Sequence, residues 1–187
     1  LLYLDNISNE PSHPNENYAR ELLELHTLGV NGGYTQHDVQ EVARVLTGWT
    51  VAKHGRLRGQ FIFDEDGHDF GEKQILGRTF PAGRGVAEVE ELLDLLASHP
   101  ATATFLATKL VRRFVADEPP ADLVAQVAAA YQQNNGAITP MLRLIFLSAE
   151  FATAPPKLKR PHTYMVSALR AVRADFSLGR GRAIGDW

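Results

Sequence analysis

The chain has no cysteine among its 187 residues, which excludes disulfides, thiolate zinc sites and a cysteine nucleophile. It has no apolar run near the ~20 residues that span a bilayer, so no transmembrane segment is expected. A Gly-x-Ser-x-Gly elbow is absent, and Ser148 and Ser167 sit within apolar helical segments. Gly55, Gly59, Gly83 and Gly85 do not fall between a parallel strand and a helix, as a phosphate-binding loop requires. There is no Cys-x-x-Cys-His haem attachment motif and no internal repeat. No cofactor and no resident metal are predicted. Charge of one sign is also scarce: a net −3 leaves no overall footprint for nucleic acid, and no nucleic-acid partner is expected.

What is present is ordinary globular material, 44% hydrophobic and 22% charged. The length fits a single helical domain over residues 1–187, burying roughly 70% of its unfolded surface. The chain begins at Leu1 rather than Met, so a preceding part is expected. Charge is unevenly placed. Residues 1–50 hold seven acids and two bases, whereas residues 157–187 hold seven bases and two acids. The simplest expectation is that these ends face each other or face segments of a longer protein.

The pattern is mainly helical. Asn15 caps a helix that runs to Leu28 and stops at Gly29. Tyr18, Ala19, Leu22, Leu23, Leu25 and His26 share one stripe at 100° per residue, which places His26 in the core. Thr35 and Asp38 begin a second helix in capping-box style, with Val39, Val42, Ala43, Leu46 and Trp49 on its buried face. Residues 50–83 form a β-insert: Phe61–Phe63 and Gln74–Leu76 are strand-like, and Asp66-Gly67 and Gly77-Arg78 supply turns. Helices follow from about Arg84 to Ser98, Ala101 to Ala116, Pro120 to Gln133, Thr139 to Ser148 and Pro161 to Ala174. The fold class is an irregular bundle of about six or seven helices with a small antiparallel β-hairpin insert near residues 60–80. The Gly/Arg-rich end, Gly179 to Gly185, reads as unfinished.

Three constellations carry candidate chemistry. The first is His26 with Glu16, Glu21 and Glu24. Glu21 and His26 are five apart, about 140° around a helix, and cannot hold one ion alone; Arg20 pairs naturally with Glu16 and Glu24. The second is Asp64-Glu65-Asp66-Gly67-His68-Asp69 with Glu72, five acids and a histidine in nine residues. Its glycine is fourth rather than sixth, so the calcium-loop pattern fails and a solvated acidic turn is the simpler reading. His68-Asp69 with Lys73 also suits pinning of the hairpin to the helical body. The third is Lys109, Arg112 and Arg113 on one helix, a weak anion-binding candidate for which pairing with the acidic first helices is the simpler reading.

Several segments together carry a family resemblance. Asn15–Gly29 is followed by Gly33-Tyr34-Thr35, Glu41-Val42-Ala43-Arg44 and Leu46-Thr47-Gly48-Trp49, then by His68-Asp69, Gly71, Lys73 and Leu76-Gly77. His99-Pro100-Ala101-Thr102-Ala103, Arg112-Arg113-Phe114-Val115, Glu150-Phe151 and Val166-Ser167-Ala168-Leu169-Arg170-Ala171 continue it. The chain resembles the bacterial domain-of-unknown-function family 1800, along nearly its whole length and as the C-terminal half of a longer member. Thr163 and Ala149 depart from the pattern, standing where a glutamate and a proline are usual. The resemblance implies a helical bacterial protein, often exported to the periplasm or envelope and often encoded beside a protein of sulfatase-like or phosphatase-like fold. It implies no reaction.

Two functional expectations result. In the first, the chain is a structural or accessory module, whose partners are the preceding half of the same protein and such a phosphatase-like or sulfatase-like protein. In the alternative, it is a metal-dependent or acid–base hydrolase with a site between the first helical hairpin and the β-insert. That site would unite Glu21, His26, Asp38, His68 and Asp69.

Overall fold

The computed structural model describes residues 3–173, and the Gly/Arg-rich end from Gly179 lies outside them. The fold is mainly α, with eight α-helices and two small antiparallel sheets among the described residues. The chain divides after Ala154 into two compact units.

The first unit opens with a 3-10 turn, Asn6–Ser8, followed by α1 (Glu16–Glu21) with Asn15 as its N-cap, accepting from the Asn17 N–H. The helix then continues as a π turn, Leu22–His26, rather than as a regular α-helix. Each residue of a π turn advances less than 100°, so the rows drift out of register with the apolar stripe. Leu22, Leu23 and Leu28 stay buried, but Leu25 is 49% exposed and His26 faces solvent. The core position expected for His26 is thereby corrected. Thr27 Oγ1 donates to the Leu22 carbonyl at 2.7 Å, and the Gly29 N–H bonds the Leu23 carbonyl at 3.0 Å, closing the turn. Gly29 has φ +80°, and a Cβ there would lie 2.7 Å from the Phe105 ring, so only glycine fits.

Thr35 and Asp38 form a reciprocal capping box on α2 (Gln36–Val45). The helix ends before Trp49, which instead starts β1 (Trp49–Val51). β1 pairs with β2 (Phe61–Phe63) in the register Trp49 to Phe63, and β3 (Lys73–Ile75) pairs with β4 (Arg78–Phe80). The strand-like segments at Phe61–Phe63 and Lys73–Ile75 therefore belong to two separate hairpins. The second closes through a two-residue turn, Leu76-Gly77, with φ of 51° and 75°. Positive φ at both positions is the turn geometry whose twist matches a tight hairpin.

Four helices complete the unit's main body: α3 (Val86–Ser98), α4 (Pro100–Phe114), α5 (Ala121–Gln133) and α6 (Ile138–Leu147), with a short α7 (Ala149–Ala152) after them. Between α3 and α4, Pro100 occupies the first helical position, and the His99 ring accepts from the Ala101 N–H. One apolar cluster joins α1, the π turn, α2, the β3–β4 hairpin and α3 through Leu23, Val42, Phe80, Leu92 and Leu96. A second joins α4, α5 and α6 through Ala107, Val111, Val127, Met141 and Ile145. Tyr131 Oη donates to the Ala97 carbonyl at 2.8 Å and ties α5 to the end of α3.

The second unit contains α8 (Pro161–Ala171), begun by proline after the Pro155-Pro156 break. Among the described residues of this unit none is fully buried, and Tyr164, Met165, Leu169 and Val172 are exposed.

Candidate functional site

The polar face of α2 meets the outer edge of β3. Gln74 and Leu76 would leave strand N–H groups without a neighbour, and carboxylates take that place. Glu41 Oε2 accepts from the Gln74 N–H at 2.9 Å, and Asp38 Oδ1 accepts from the Leu76 N–H at 2.7 Å. The other oxygen of Asp38 accepts from the N–H and hydroxyl of Thr35. Burial acts to raise the Asp38 carboxyl, but the bonds from Thr35 and Leu76 outweigh it and hold the group below its ordinary value. The bond to Leu76 fixes a residue that pays about 1–2 kcal/mol for its left-handed backbone.

One turn further on, Arg44 gathers three segments. Its guanidinium donates to both oxygens of Asp69, at 2.7 and 3.3 Å, to Glu41 Oε1 at 2.8 Å and to the Glu72 carbonyl at 3.2 Å. The hydrogen bond to Asp69 pushes the guanidinium still higher, against its burial. For Asp69, burial acts upward, yet Arg44, the Gly71 N–H and the charge of Lys73 hold the carboxyl below the usual range. Thr47 sits behind this pair. Its hydroxyl donates to the Arg44 carbonyl at 2.6 Å and accepts from the Asp69 N–H at 2.8 Å.

Beneath lies a charged group sealed from solvent. The side chains of His68 and Lys73 are 0% exposed and that of Glu88 is 1% exposed. Lys73 Nζ lies 3.0 and 2.9 Å from the two Glu88 oxygens and donates also to the carbonyls of Asp69 and Gly71. His68 Nδ1 is 2.8 Å from the Thr47 carbonyl, an acceptor, so that nitrogen carries the proton. His68 Nε2 lies 3.4 Å from Glu88 Oε2 and forms no hydrogen bond. Phe63 and Phe70 present ring edges or faces to the imidazole at centroid distances of 5.1 and 4.7 Å. The His68 ring thus links three segments: the end of α2, the acidic turn and α3.

The largest concavity among those described is a groove of about 620 Å³ beside the acidic turn. Gly48 and Trp49 contribute to its lining, as do Asp64, Asp66 and Gly67 of the acidic turn and Glu10 of the N-terminal segment. Two buried asparagines hold that segment in place. Asn6 Nδ2 donates to the carbonyls of Leu46 and Trp49, and Asn9 Nδ2 to that of Ala43, satisfying acceptors at the end of α2. Gly48 has φ +77°, and a Cβ there would meet the Asp64 carbonyl oxygen at 2.6 Å.

The structure thus brings Asp38, His68 and Asp69 into one connected network. Glu21 and His26 lie on the α1 and π-turn segment, where no hydrogen bond or ion pair joins them to that network. Asp64, Glu65 and Asp66 face solvent, while His68 and Asp69 turn inward. Among the described residues, no group of three His, Asp or Glu side chains is placed to hold a metal ion. Lys109 donates to the Leu25 carbonyl at 3.1 Å and stands 4.4 Å over the Phe105 ring, so it caps the π turn. Arg112 Nε donates to the Asp117 carbonyl, and Arg113 is exposed on the same helix. Glu88, the anion at the centre of the network, has a sequence signal: it lies four and eight residues before Leu92 and Leu96, on an otherwise buried face.

A family model described as "Protein of unknown function (DUF1800)" matches residues 1–185. No curated protein and no solved structure matches the chain.

Proposed function

The chain belongs to the DUF1800 family of unknown function, and we propose that it acts without a reaction of its own, as a structural or accessory module. In this reading it is part of an exported, envelope-associated bacterial protein. The observation that carries it is the sealed Lys73–Glu88–His68 group. Acid–base chemistry needs an imidazole or carboxylate that substrate can reach. Here the imidazole is enclosed, and the carboxylates of Asp38, Glu41, Asp69 and Glu88 are occupied by backbone N–H groups, Arg44 and Lys73. Such a network specifies how the hairpins meet the helices and leaves little free for catalysis.

Apolar side chains left on the outside support an accessory role. Phe146, Leu147 and Phe151 on α6 and α7 are exposed, and Phe146 stacks edge-on with Phe114 and Phe151. Within its own unit, α8 exposes Tyr164, Met165 and Leu169. Exposed apolar patches of this kind suit docking to other protein, either a further part of the same polypeptide or a phosphatase-like or sulfatase-like companion. The hydrolase alternative gains no support, because Glu21 and His26 stand apart from the buried cluster.

Elemental analysis of purified protein tests the reading. The expected result is no stoichiometric metal. One tightly bound ion per chain, lost together with fold or with a hydrolytic activity on chelation, would overturn it.

A further inference from the structure

The tip of the β1–β2 hairpin, residues 52–60, carries Lys53, His54, Arg56 and Arg58, all exposed. No ion pair or hydrogen bond engages the side chains of Lys53, Arg56 or Arg58 among the described residues. Elsewhere in the same unit Arg20, Arg44, Lys73, Arg78 and Arg84 each meet a carboxylate. A concavity of about 360 Å³ opens at the base of this tip, lined by Ile7, Val51, Ala52, Lys53, Arg58 and Gly59. No acid contributes to its wall. The frame beneath is hydrogen-bonded: the Ala52 N–H bonds the Gln60 carbonyl, and the Gly59 N–H bonds that of Ala52, both at 2.9 Å. Lys53 also borders the larger groove but forms no ion pair with Glu10, Asp64 or Asp66 across it.

Two free cations beside two aliphatic side chains define a ligand chemistry. We propose that this concavity binds a small organic anion, a phosphate or sulfate ester or a carboxylate bearing a short apolar substituent. Lys53 and Arg58 hold the charged group, with arginine offering a planar pair of donors. Ile7 and Val51 pack against the substituent. The inference is independent of the structural role proposed above, since the sealed network does not contribute to this concavity.

Calorimetric titration of the intact chain tests it, with butyl phosphate and inorganic phosphate as probes. Butyl phosphate is expected to bind saturably and about tenfold more tightly than inorganic phosphate. Lys53→Ala and Arg58→Ala should each weaken it by about tenfold, and Ile7→Ser should remove the preference for the butyl group. Arg143→Ala, at an exposed arginine on α6, should leave binding unchanged. Thermal unfolding of each variant at the parent temperature confirms that these surface changes spare the fold. The proposal is overturned by absence of saturation up to about 10 mM butyl phosphate. Equal binding of the two probes, or an equal loss in Arg143→Ala, overturns it as well.

Discussion

Replacing Lys73 by methionine keeps the length of a fully buried side chain and deletes its charge. The Glu88 carboxylate, 1% exposed, then loses the cation 2.9–3.0 Å from both its oxygens. Only His68 Nε2, 3.4 Å away and outside hydrogen-bond geometry, remains beside it. The carbonyls of Asp69 and Gly71 lose a donor at the same time. Breaking a buried pair from one side costs about 3–5 kcal/mol, because the remaining charge stays desolvated without compensation. For a unit of this size, that predicts a fall in Tm of roughly 10–15 °C. Glu88→Leu leaves the ammonium stranded and should cost a similar amount. The double variant Lys73→Met/Glu88→Leu removes both charges, so its loss should be smaller than the sum of the single losses by about 2 kcal/mol or more. Urea unfolding of the four proteins, followed by circular dichroism and tryptophan fluorescence, measures the cycle. The reasoning is refuted if Lys73→Met costs less than about 1 kcal/mol, or if the two losses add within about 0.5 kcal/mol.

Two further outcomes follow from the same network. Asp38 and Asp69 have carboxyls held below their ordinary value in the folded chain, so the stability they supply is present above the unfolded value of about 3.9 and lost as pH falls through the lower folded values. The urea midpoint should therefore fall steeply with acidification below about pH 4, and Asp69→Asn should flatten that fall while lowering the midpoint at neutral pH; an unchanged acid limb would contradict the assignment. Gly48→Ala should destabilise by more than about 2 kcal/mol, since the backbone is left-handed and the new Cβ meets the Asp64 carbonyl oxygen at 2.6 Å. Gly55→Ala has a similar φ of +75° but open space around it, and should cost only about 1–2 kcal/mol by the same unfolding measurement.

What could be read from the sequence was whatever depends on local chemistry. The Thr35–Asp38 box, the Asn15 cap and the proline-led start of α8 are all set by residues within a turn of each other, and each appears in the structure. His26 shows where the periodicity argument stops. A stripe drawn at 100° per residue assumes an unbroken α-helix, and nothing in Leu22–His26 announces a π turn. The turn's closure depends on Thr27 and on packing of Gly29 against Phe105 from a helix far along the chain. Strand pairing was half legible. Phe61–Phe63 and the segment around Gln74 look like strands, but their partners are fixed by Trp49 leaving the helix and by Leu76 accepting a positive φ. The candidate cluster divided for a similar reason. His68, Asp69 and Lys73 are close in sequence and act together, whereas Glu88 joins them only because α3 packs across the hairpin.

The acidic character of the α1–α2 region therefore has a structural explanation at most of its buried positions. A strand edge exposes N–H donors, and an edge buried against a helix has to meet acceptors from that helix. Apolar side chains from α2 would leave Gln74 and Leu76 unsatisfied; Asp38 and Glu41 supply the acceptors at the spacing of one helical turn. Introducing carboxylates into a half-buried interface then requires cations, which Arg44 provides by pairing with Asp69 and Lys73 by its charge nearby. Each added partner occupies lone pairs of these carboxylates, and the partners of Asp38 and Asp69 also hold those two carboxyls below their ordinary values, which works against general-base chemistry. By contrast, among the described residues the hairpin tip keeps Lys53 and Arg58 unpaired beside Ile7 and Val51.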